Sequence, residues 1–236
     1  MGKRIIQQAR GHGSLTYRVR SKAYKYRIGY PGEEGKASVI GLLNSTAHSA
    51  PLAKILINKK IFYNPAFRGM IEGQEIIIGG NENKEGNILK LKEIPVGIPV
   101  YNIEVNPGDG GKMIRTGGSS ALVNKKIEGK TSLLLPSKQE KWLNENCLAT
   151  IGVIAGHGRK EKPMMKAGKK HYAMKSRNKF WPRTSAVKMN VVDHPFGSGR
   201  GKNLSHGLKG KIPKRNAPPG AKVGSLWPRR MGRKKR

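Results

Sequence analysis

The positive charge of this chain is concentrated at its two ends. The 236 residues carry 47 Lys and Arg against 14 Asp and Glu, a formal net charge of +33. Residues 1–30 have a net charge of +8, residues 31–154 of +3 and residues 155–236 of +22. A charge this dense repels itself unless a polyanion neutralises it. The sequence therefore predicts a nearly balanced globular middle between two basic ends that need an anionic partner.

The middle of the chain has the pattern of short β-strands. Aliphatic and β-branched runs such as Ala37–Leu43, Leu52–Ile57 and Leu148–Ala155 alternate with turns rich in Gly, Pro, Asn and Asp. This punctuation is typical of small antiparallel barrels or sandwiches. A break at residues 93–99 divides the middle into two units, which are expected to pack together or depend on a partner. The stretch Lys138–Asn146 fits a helical turn and a strand equally well.

The long C-terminal end has too few apolar residues to fold by burying apolar surface. Residues 155–236 are rich in Gly and Pro, and no apolar run among them could bury much surface. Ordering each residue costs about 1–2 kcal/mol of backbone entropy. We therefore predict that this segment is disordered alone and becomes ordered on binding.

Nucleic acid is the polyanion that this composition favours. Aromatic residues are interleaved with Lys and Arg at Lys170–Tyr172, Arg177–Arg183 and Leu226–Arg230. Such rings stack on unpaired bases while the cations meet phosphates. No DNA-reading module is recognisable, and structured RNA suits a Gly-rich basic strand better than a uniform duplex. A membrane surface is excluded as the partner because the amphipathic apolar face that it requires is missing.

Enzyme and metal chemistry find little support. The chain has no GxxxxGK[ST] phosphate loop and no GxSxG elbow. Its six histidines are scattered, its one cysteine is Cys147, and no pair has metal-ligand spacing. Asp193 and His194 are adjacent, and adjacent side chains seldom face each other. The expectation is no enzyme, no metal and no cofactor, in a cytoplasmic protein without a signal peptide.

Several motifs, taken together and in order, resemble the universal large-subunit ribosomal protein two family. The run Val187–Gly197 (VKMNVVDHPFG) is similar to the family's V-A-M-N-P/A-V-[DE]-H-P-[HF]-G element. Trp181–Arg183 (WPR) and Ala217–Gly224 (APPGAKVG) match the elements before and after it, and the likeness spans nearly the whole chain. The WPR and APPG forms are closer to the archaeal and eukaryotic branch than to the bacterial one.

The chain also departs from that family's pattern. Lys188 stands where the family usually has Ala, and Val191 stands where it has Pro or Ala. Ala221 replaces the family's Arg. Residues 198–211 diverge from the family's glycine triplet and its Gly/His/Gln segment, which leaves the path of RNA there undetermined. Trp227 stands where a small residue is expected. These departures indicate a divergent lineage with an unchanged role.

The resemblance implies a mainly β fold with an oligonucleotide-binding-type barrel at residues 31–94 and an SH3-like barrel at 95–158. Long, basic, irregular extensions at 1–30 and 159–236 would thread into large-subunit rRNA. It also implies a primary rRNA-binding structural constituent of the large ribosomal subunit near the peptidyl-transferase region. Its role would be to support subunit association, tRNA binding and peptide bond formation without a firm catalytic part. Small-subunit rRNA at an intersubunit bridge and neighbouring large-subunit proteins would be further partners.

The candidate RNA-binding residues follow from the basic ends and the matched motifs. They are Lys3, Arg4, Arg10, Arg18, Arg159, Lys166, Lys169, Lys170, Arg177, Trp181, Arg183, Asn190, His194, Arg200, Lys222, Arg229, Arg230 and Arg233. Trp181 is expected to stack on a base or to pack the extension against a barrel. His194 precedes a proline, which favours extended backbone, and is expected to position RNA, not to shuttle protons. A transient RNA-binding ribosome assembly factor is the alternative function, and a stable component should resist a high-salt wash that removes such a factor.

Overall fold

The chain divides into two compact units. The computed structural model describes residues 3–159, 161–194 and 196–197. The β unit runs from Ser21 to Lys166, and the terminal unit combines the first 20 residues with the chain from Ala167 onward. The described residues 3–20 and 167–197 therefore belong to one unit, although the whole β unit separates them in sequence.

The β unit is built on one continuous sheet. Its strands within the described residues are β1 Gly35–Leu43, β2 Leu52–Ile57, β3 Lys60–Pro65, β4 Glu75–Ile78, β5 Ile88–Lys90, β6 Pro99–Tyr101, β7 Ala121–Ile127, β8 Lys130–Leu134, β9 Glu140–Asn144 and β10 Leu148–Ile151. They are ordered β3-β2-β1-β4-β5-β10-β6-β7-β8-β9. Neighbouring strands are antiparallel, except that β4 pairs with β5 in parallel through Ile78 and Ile88. The last strand, β10, thus lies in the middle and joins the two halves of the sheet.

Aliphatic residues of the strands form two buried clusters. The first cluster consists of buried residues between Ala37 and Ile88, together with Tyr101 and Ile154. The second lies between Leu89 and Ile151. Alternating burial along strands such as β2 places these residues on the inner face, as the period of two in a half-buried strand requires. The mainly β class predicted from the sequence is confirmed.

A buried polar network fixes the segment that precedes the first strand. The Tyr30 hydroxyl donates to the Asn102 carbonyl oxygen at 2.6 Å and lies 2.7 Å from the Thr150 hydroxyl. The Asn64 amide donates to Thr150 and accepts from the Asn102 amide. Burial raises the pKa of Tyr30, so this hydroxyl stays protonated. Residues just before β1 therefore belong to the β unit, while the domain limits at 30/31 and 94/95 remain predictions.

The undecided stretch Lys138–Asn146 contains a strand. Residues 140–144 form β9, which pairs with β8 from Lys130↔Asn144 to Leu134↔Glu140. Leu143 faces the second core cluster from this strand. Burial of that side chain, not the local sequence, decides between the two conformations that the pattern allowed.

The terminal unit contains two short helices. They are α1 Ile6–Gly11 and α2 Ala167–Ser176, and single 3-10 turns span Ser21–Tyr24 and His157–Arg159 in the β unit and Ala186–Lys188 in the terminal unit. Neither α-helix has a buried residue. The sequence predicted irregular extensions and did not reveal these helices, because neither shows an apolar stripe of period 3.6. Among the residues described, none of the helices has the length and apolar character that crossing a membrane demands.

Candidate nucleic-acid interface

The N-terminal segment and the C-terminal extension are joined directly within the terminal unit. The backbone N–H of Lys3 donates to the carbonyl oxygen of Val192 at 2.7 Å, and the Lys3 ammonium lies 3.5 Å from the Asp193 carboxylate. Further along, the Asn178 side-chain amide donates to the carbonyl oxygens of Thr16 and Arg18. These contacts place basic residues from both ends of the sequence on one unit.

This unit brings together most of the predicted RNA-binding residues that the structure describes. They are Lys3, Arg4, Arg10, Arg18, Lys169, Lys170, Arg177, Trp181, Arg183, Asn190 and His194. Arg159 and Lys166 are exposed but belong to the β unit. The remaining predicted residues, Arg200, Lys222, Arg229, Arg230 and Arg233, lie outside the described residues.

The described part of the terminal unit is almost purely cationic. It carries five Lys or Arg in residues 3–20 and seven in residues 167–197, while Asp193 is its one acid. That acid is paired with Lys3. Lys175, Lys179 and Lys188 are also exposed here, although they were not among the residues predicted from the sequence. The charge of the segment was the signal that could have found them, since their local context resembles that of the residues selected.

Helix α2 presents an exposed basic surface. It holds three lysines and no acid, and the Tyr172 side chain is 70% exposed. A helix that is polar all round lacks the apolar face by which helices are usually held. Burial of side chains therefore contributes little to the stability of α2.

Trp181 is partly packed within the terminal unit. The Lys170 ammonium lies 5.2 Å from the centroid of its ring, within the range of a cation–π contact. The residue is half-buried. Trp181 therefore packs on Lys170 of its own unit, while stacking on a base and packing against a barrel both remain predictions.

His194 lies on a tight turn. The N–H groups of Asp193 and His194 both donate to the carbonyl oxygen of Asn190, at 3.0 and 3.1 Å. A Cβ atom on Gly197 would lie 2.4 Å from that same oxygen, so the turn requires glycine there. These hydrogen bonds form a turn at residues 191–193, so no continuous strand leads up to His194. The extended backbone expected for His194 itself stays a prediction.

The environment of the His194 ring selects its tautomer. The Phe196 N–H donates to Nδ1 at 3.1 Å, and the Phe196 ring lies 4.9 Å from the imidazole. In the neutral ring the proton is then on Nε2, which is a hydrogen-bond donor. The residue is 8% exposed, and desolvation lowers its pKa. The His194 ring is thus neutral at physiological pH, with Nε2 as its hydrogen-bond donor.

Arg115, which no sequence motif singled out, is a structural arginine of the β unit. Its guanidinium donates to the Asn102 side chain at 2.7 Å and to the Gly110 carbonyl oxygen at 3.1 Å. Desolvation lowers the pKa of the guanidinium group.

In the described part of the chain, no three His, Cys, Asp or Glu side chains are grouped as a metal ion would require.

The chain is similar to known proteins along nearly its whole length. The family model described as Ribosomal Proteins L2, C-terminal domain, matches residues 84–216. The large ribosomal subunit protein uL2 of Archaeoglobus fulgidus is 45% identical over 237 residues, which cover 98% of this chain and 99% of that protein. The proteins of the same name from Methanococcus vannielii and Methanothrix thermoacetophila are 46% and 44% identical, over 99% of this chain and 100% of each relative.

Proposed function

The chain belongs to the uL2 family of large ribosomal subunit proteins, which are structural proteins and not enzymes, and from this premise we propose that its terminal unit binds large-subunit rRNA. One observation carries the proposal. The described part of that unit presents twelve Lys and Arg with a single acid, on a scaffold with almost no core of its own. Phosphates neutralise such a surface and release counterions on binding.

The location proposed for this binding is near the peptidyl-transferase region of the large subunit. There the chain would support subunit association, tRNA binding and peptide bond formation by holding RNA in place. The neutral His194 ring, with its donor Nε2, suits a hydrogen bond to a phosphate or base acceptor better than it suits proton transfer. Small-subunit rRNA at an intersubunit bridge and neighbouring large-subunit proteins are the further proposed partners, in the cytoplasm.

The β unit is proposed to carry the two barrels that the family resemblance implies. The oligonucleotide-binding-type barrel would span residues 31–94 and the SH3-like barrel 95–158. The presence of two buried clusters supports two barrels, although their membership changes between Ile88 and Leu89, six residues before the proposed limit. The strand β10, which pairs with both β5 and β6, would tie the barrels together.

Helix α2 offers a direct test of the proposed function. We would replace Lys169, Lys170 and Lys175 together by Gln and measure affinity for a large-subunit rRNA transcript across salt concentrations. Removing a lysine that neutralises one phosphate lowers the slope of log affinity against log salt by roughly 0.7–0.9. The slope for the triple variant should therefore fall by roughly 2.1–2.7, if each lysine meets one phosphate.

A matched control removes the same charge from the β unit. Lys36, Lys59 and Lys92 are exposed lysines there, and their triple change to Gln should leave most of the slope intact. Equal reductions in the two triple variants would show that net charge alone governs binding and would contradict the assignment to the terminal unit. The alternative of a transient assembly factor predicts that the protein leaves intact large subunits in a high-salt wash.

A further inference from the structure

The outer face of strands β7, β8 and β9 carries an exposed tryptophan. The pairing aligns Lys125 with Ser132 and Ser132 with Trp142 across the three strands. Residues directly opposite each other in a sheet lie on the same face. Leu133 and Leu143, the sequence neighbours of Ser132 and Trp142, are in the core. The row Lys125–Ser132–Trp142 must therefore point outward, and we call its surroundings the Trp142 face.

The indole ring of Trp142 is accessible to solvent, and hydrogen bonds hold the polar side chains beside it. Trp142 is 42% exposed, whereas Ser132 beside it is fully buried. The Glu140 carboxylate accepts from the Asn124 amide at 2.9 Å and from the Ser132 hydroxyl at 3.4 Å. These hydrogen bonds hold the strands' polar groups together beside the ring.

Two lysines and the Glu140 carboxylate lie around the ring, so the charge of this face is net positive. Lys125 lies in the same row as Trp142, and Lys130 lies in the next row, opposite Asn144. Both lysines are exposed. In the part of the chain that the structure describes, β9 pairs with β8 alone and forms an edge of the sheet.

An unpaired nucleotide fits these features better than a protein surface does. A base offers a flat π face to the indole, and its phosphates offer charge to the two lysines. Aromatic side chains on an exposed sheet bind single-stranded RNA in this way. An apolar protein partner would instead offer the two ammonium groups no anionic partner, and the Glu140 carboxylate already accepts from Asn124 and Ser132.

We propose that the Trp142 face is a second rRNA contact, in which one unpaired base stacks on Trp142 while Lys125 and Lys130 meet the adjacent phosphates. The inference rests on the proposed rRNA-binding function, but it concerns the β unit and is independent of the terminal unit. It would give the β unit a directional contact in addition to the electrostatic contacts of the terminal unit.

The first test uses the full-length chain and a transcript of large-subunit rRNA. Stacking on one base should make Trp142→Ala and Trp142→Leu bind roughly 5- to 100-fold more weakly. Trp142→Phe, which keeps a ring, should retain most of the affinity. Ile71→Ala is the matched control, because Ile71 is another exposed apolar side chain of the β unit, at 69%, and its removal should change nothing. Equal affinity of all these variants and the wild type would overturn the proposal.

The second test identifies the partner in assembled particles. A photocrosslinking amino acid at position 142, with position 71 as control, would be introduced into large subunits that assemble in cells. A crosslink from position 142 to a single rRNA site supports the proposal. A crosslink to a neighbouring protein, or none at all, overturns it.

The two tests separate this inference from the proposed function itself. If the wild-type chain binds the transcript with a steep salt dependence and Trp142→Leu binds equally well, only the Trp142 face is wrong. If the wild-type chain does not bind the transcript at all, the proposed function fails first, and the crosslink at position 142 decides the Trp142 face separately.

Discussion

The β unit and the terminal unit obtain their order from different sources. In the β unit, two clusters of buried aliphatic side chains and an interior hydrogen-bond network around Tyr30 hold the sheet together. In the described part of the terminal unit, Ile5 is the one buried apolar residue, at 3% exposure. A segment with so little burial does not offset its conformational entropy by itself. The β unit therefore has a core of its own, whereas the terminal unit would obtain its order from the rRNA that we propose it binds.

Removing most of the terminal unit should produce the largest effect. A chain that ends at Lys166 lacks twenty of the Lys and Arg residues and should bind a large-subunit rRNA transcript at least about 100-fold more weakly at moderate salt. The slope of log affinity against log salt should flatten at the same time. Binding measured over a salt series checks this, and a truncated chain with the full slope would refute the difference between the units.

A core substitution should destabilise the β unit strongly. Ile55 is fully buried, and Ile55→Ala should lower the free energy of unfolding by about 2–5 kcal/mol through reduced burial and a cavity. Val191, in the terminal unit, is 59% exposed, so Val191→Ala should change it by less than about 0.5 kcal/mol. Urea denaturation followed by near-ultraviolet circular dichroism measures both. Similar values for the two variants would mean that the units are equally dependent on packing.

His194 should contribute to positioning and not to catalysis. Single-turnover peptide transfer in fully assembled large subunits carrying His194→Gln should fall by less than about tenfold, whereas losing a general acid–base costs about 10²–10⁴-fold. A hundredfold loss together with a vanished pH-dependent step would contradict the positioning role. Defects mainly in assembly or subunit joining would agree with it.

The lowered pKa of His194 should make the stability of the terminal unit depend on pH. The folded ring binds its proton less readily than an unfolded histidine, whose pKa is about 6.5. The stability from this group is therefore fully present above about pH 6.5 and is lost as pH falls through the folded pKa. Titration of the His194 ring by NMR should show a midpoint below that of free histidine. A midpoint at or above the ordinary value would show that the ring is not desolvated.

The smallest effect is expected at the junction of the two chain ends. Lys3 and Asp193 form an ion pair with side chains that are 73% and 45% exposed. An exposed pair of this kind contributes at most about 1 kcal/mol. Lys3→Gln should therefore increase amide exchange at residues 190–194 only slightly, and Lys188→Gln, the matched control, should not. A large increase would mean that the junction depends on the side chain and not on the backbone hydrogen bond to Val192.

The sequence predicted the features that depend on composition and period. The charge blocks separated a balanced middle from two basic ends, and runs such as Leu52–Ile57 showed the alternation of a half-buried strand. The structure confirms this mainly β middle. The strand β9 was left undecided because its conformation depends on burying Leu143 against distant residues, which no local pattern encodes.

The candidate interface was predictable by charge but not by geometry. Most of the described candidates belong to the terminal unit, because charge marks a segment whatever its conformation. The sequence did not reveal the turn at His194, since it depends on Asn190 accepting two hydrogen bonds and on the close approach of Gly197. It also did not single out Trp142, because the pairing of β8 with β9 places that ring beside Ser132.

The central place of β10 in the sheet has a consequence for how the protein is made. Chains emerge from the ribosome N-terminus first, at about 5–20 residues per second. Strands β5 and β6 must therefore wait for Leu148–Ile151 before the sheet closes. The hydrogen bond from the Lys3 N–H forms later still, because its acceptor Val192 is synthesised after the whole sheet. Until Val192 has been synthesised, the basic N-terminal segment of the nascent chain lacks this backbone hydrogen bond. The segment is then accessible to cellular polyanions before it can pair with the C-terminal extension.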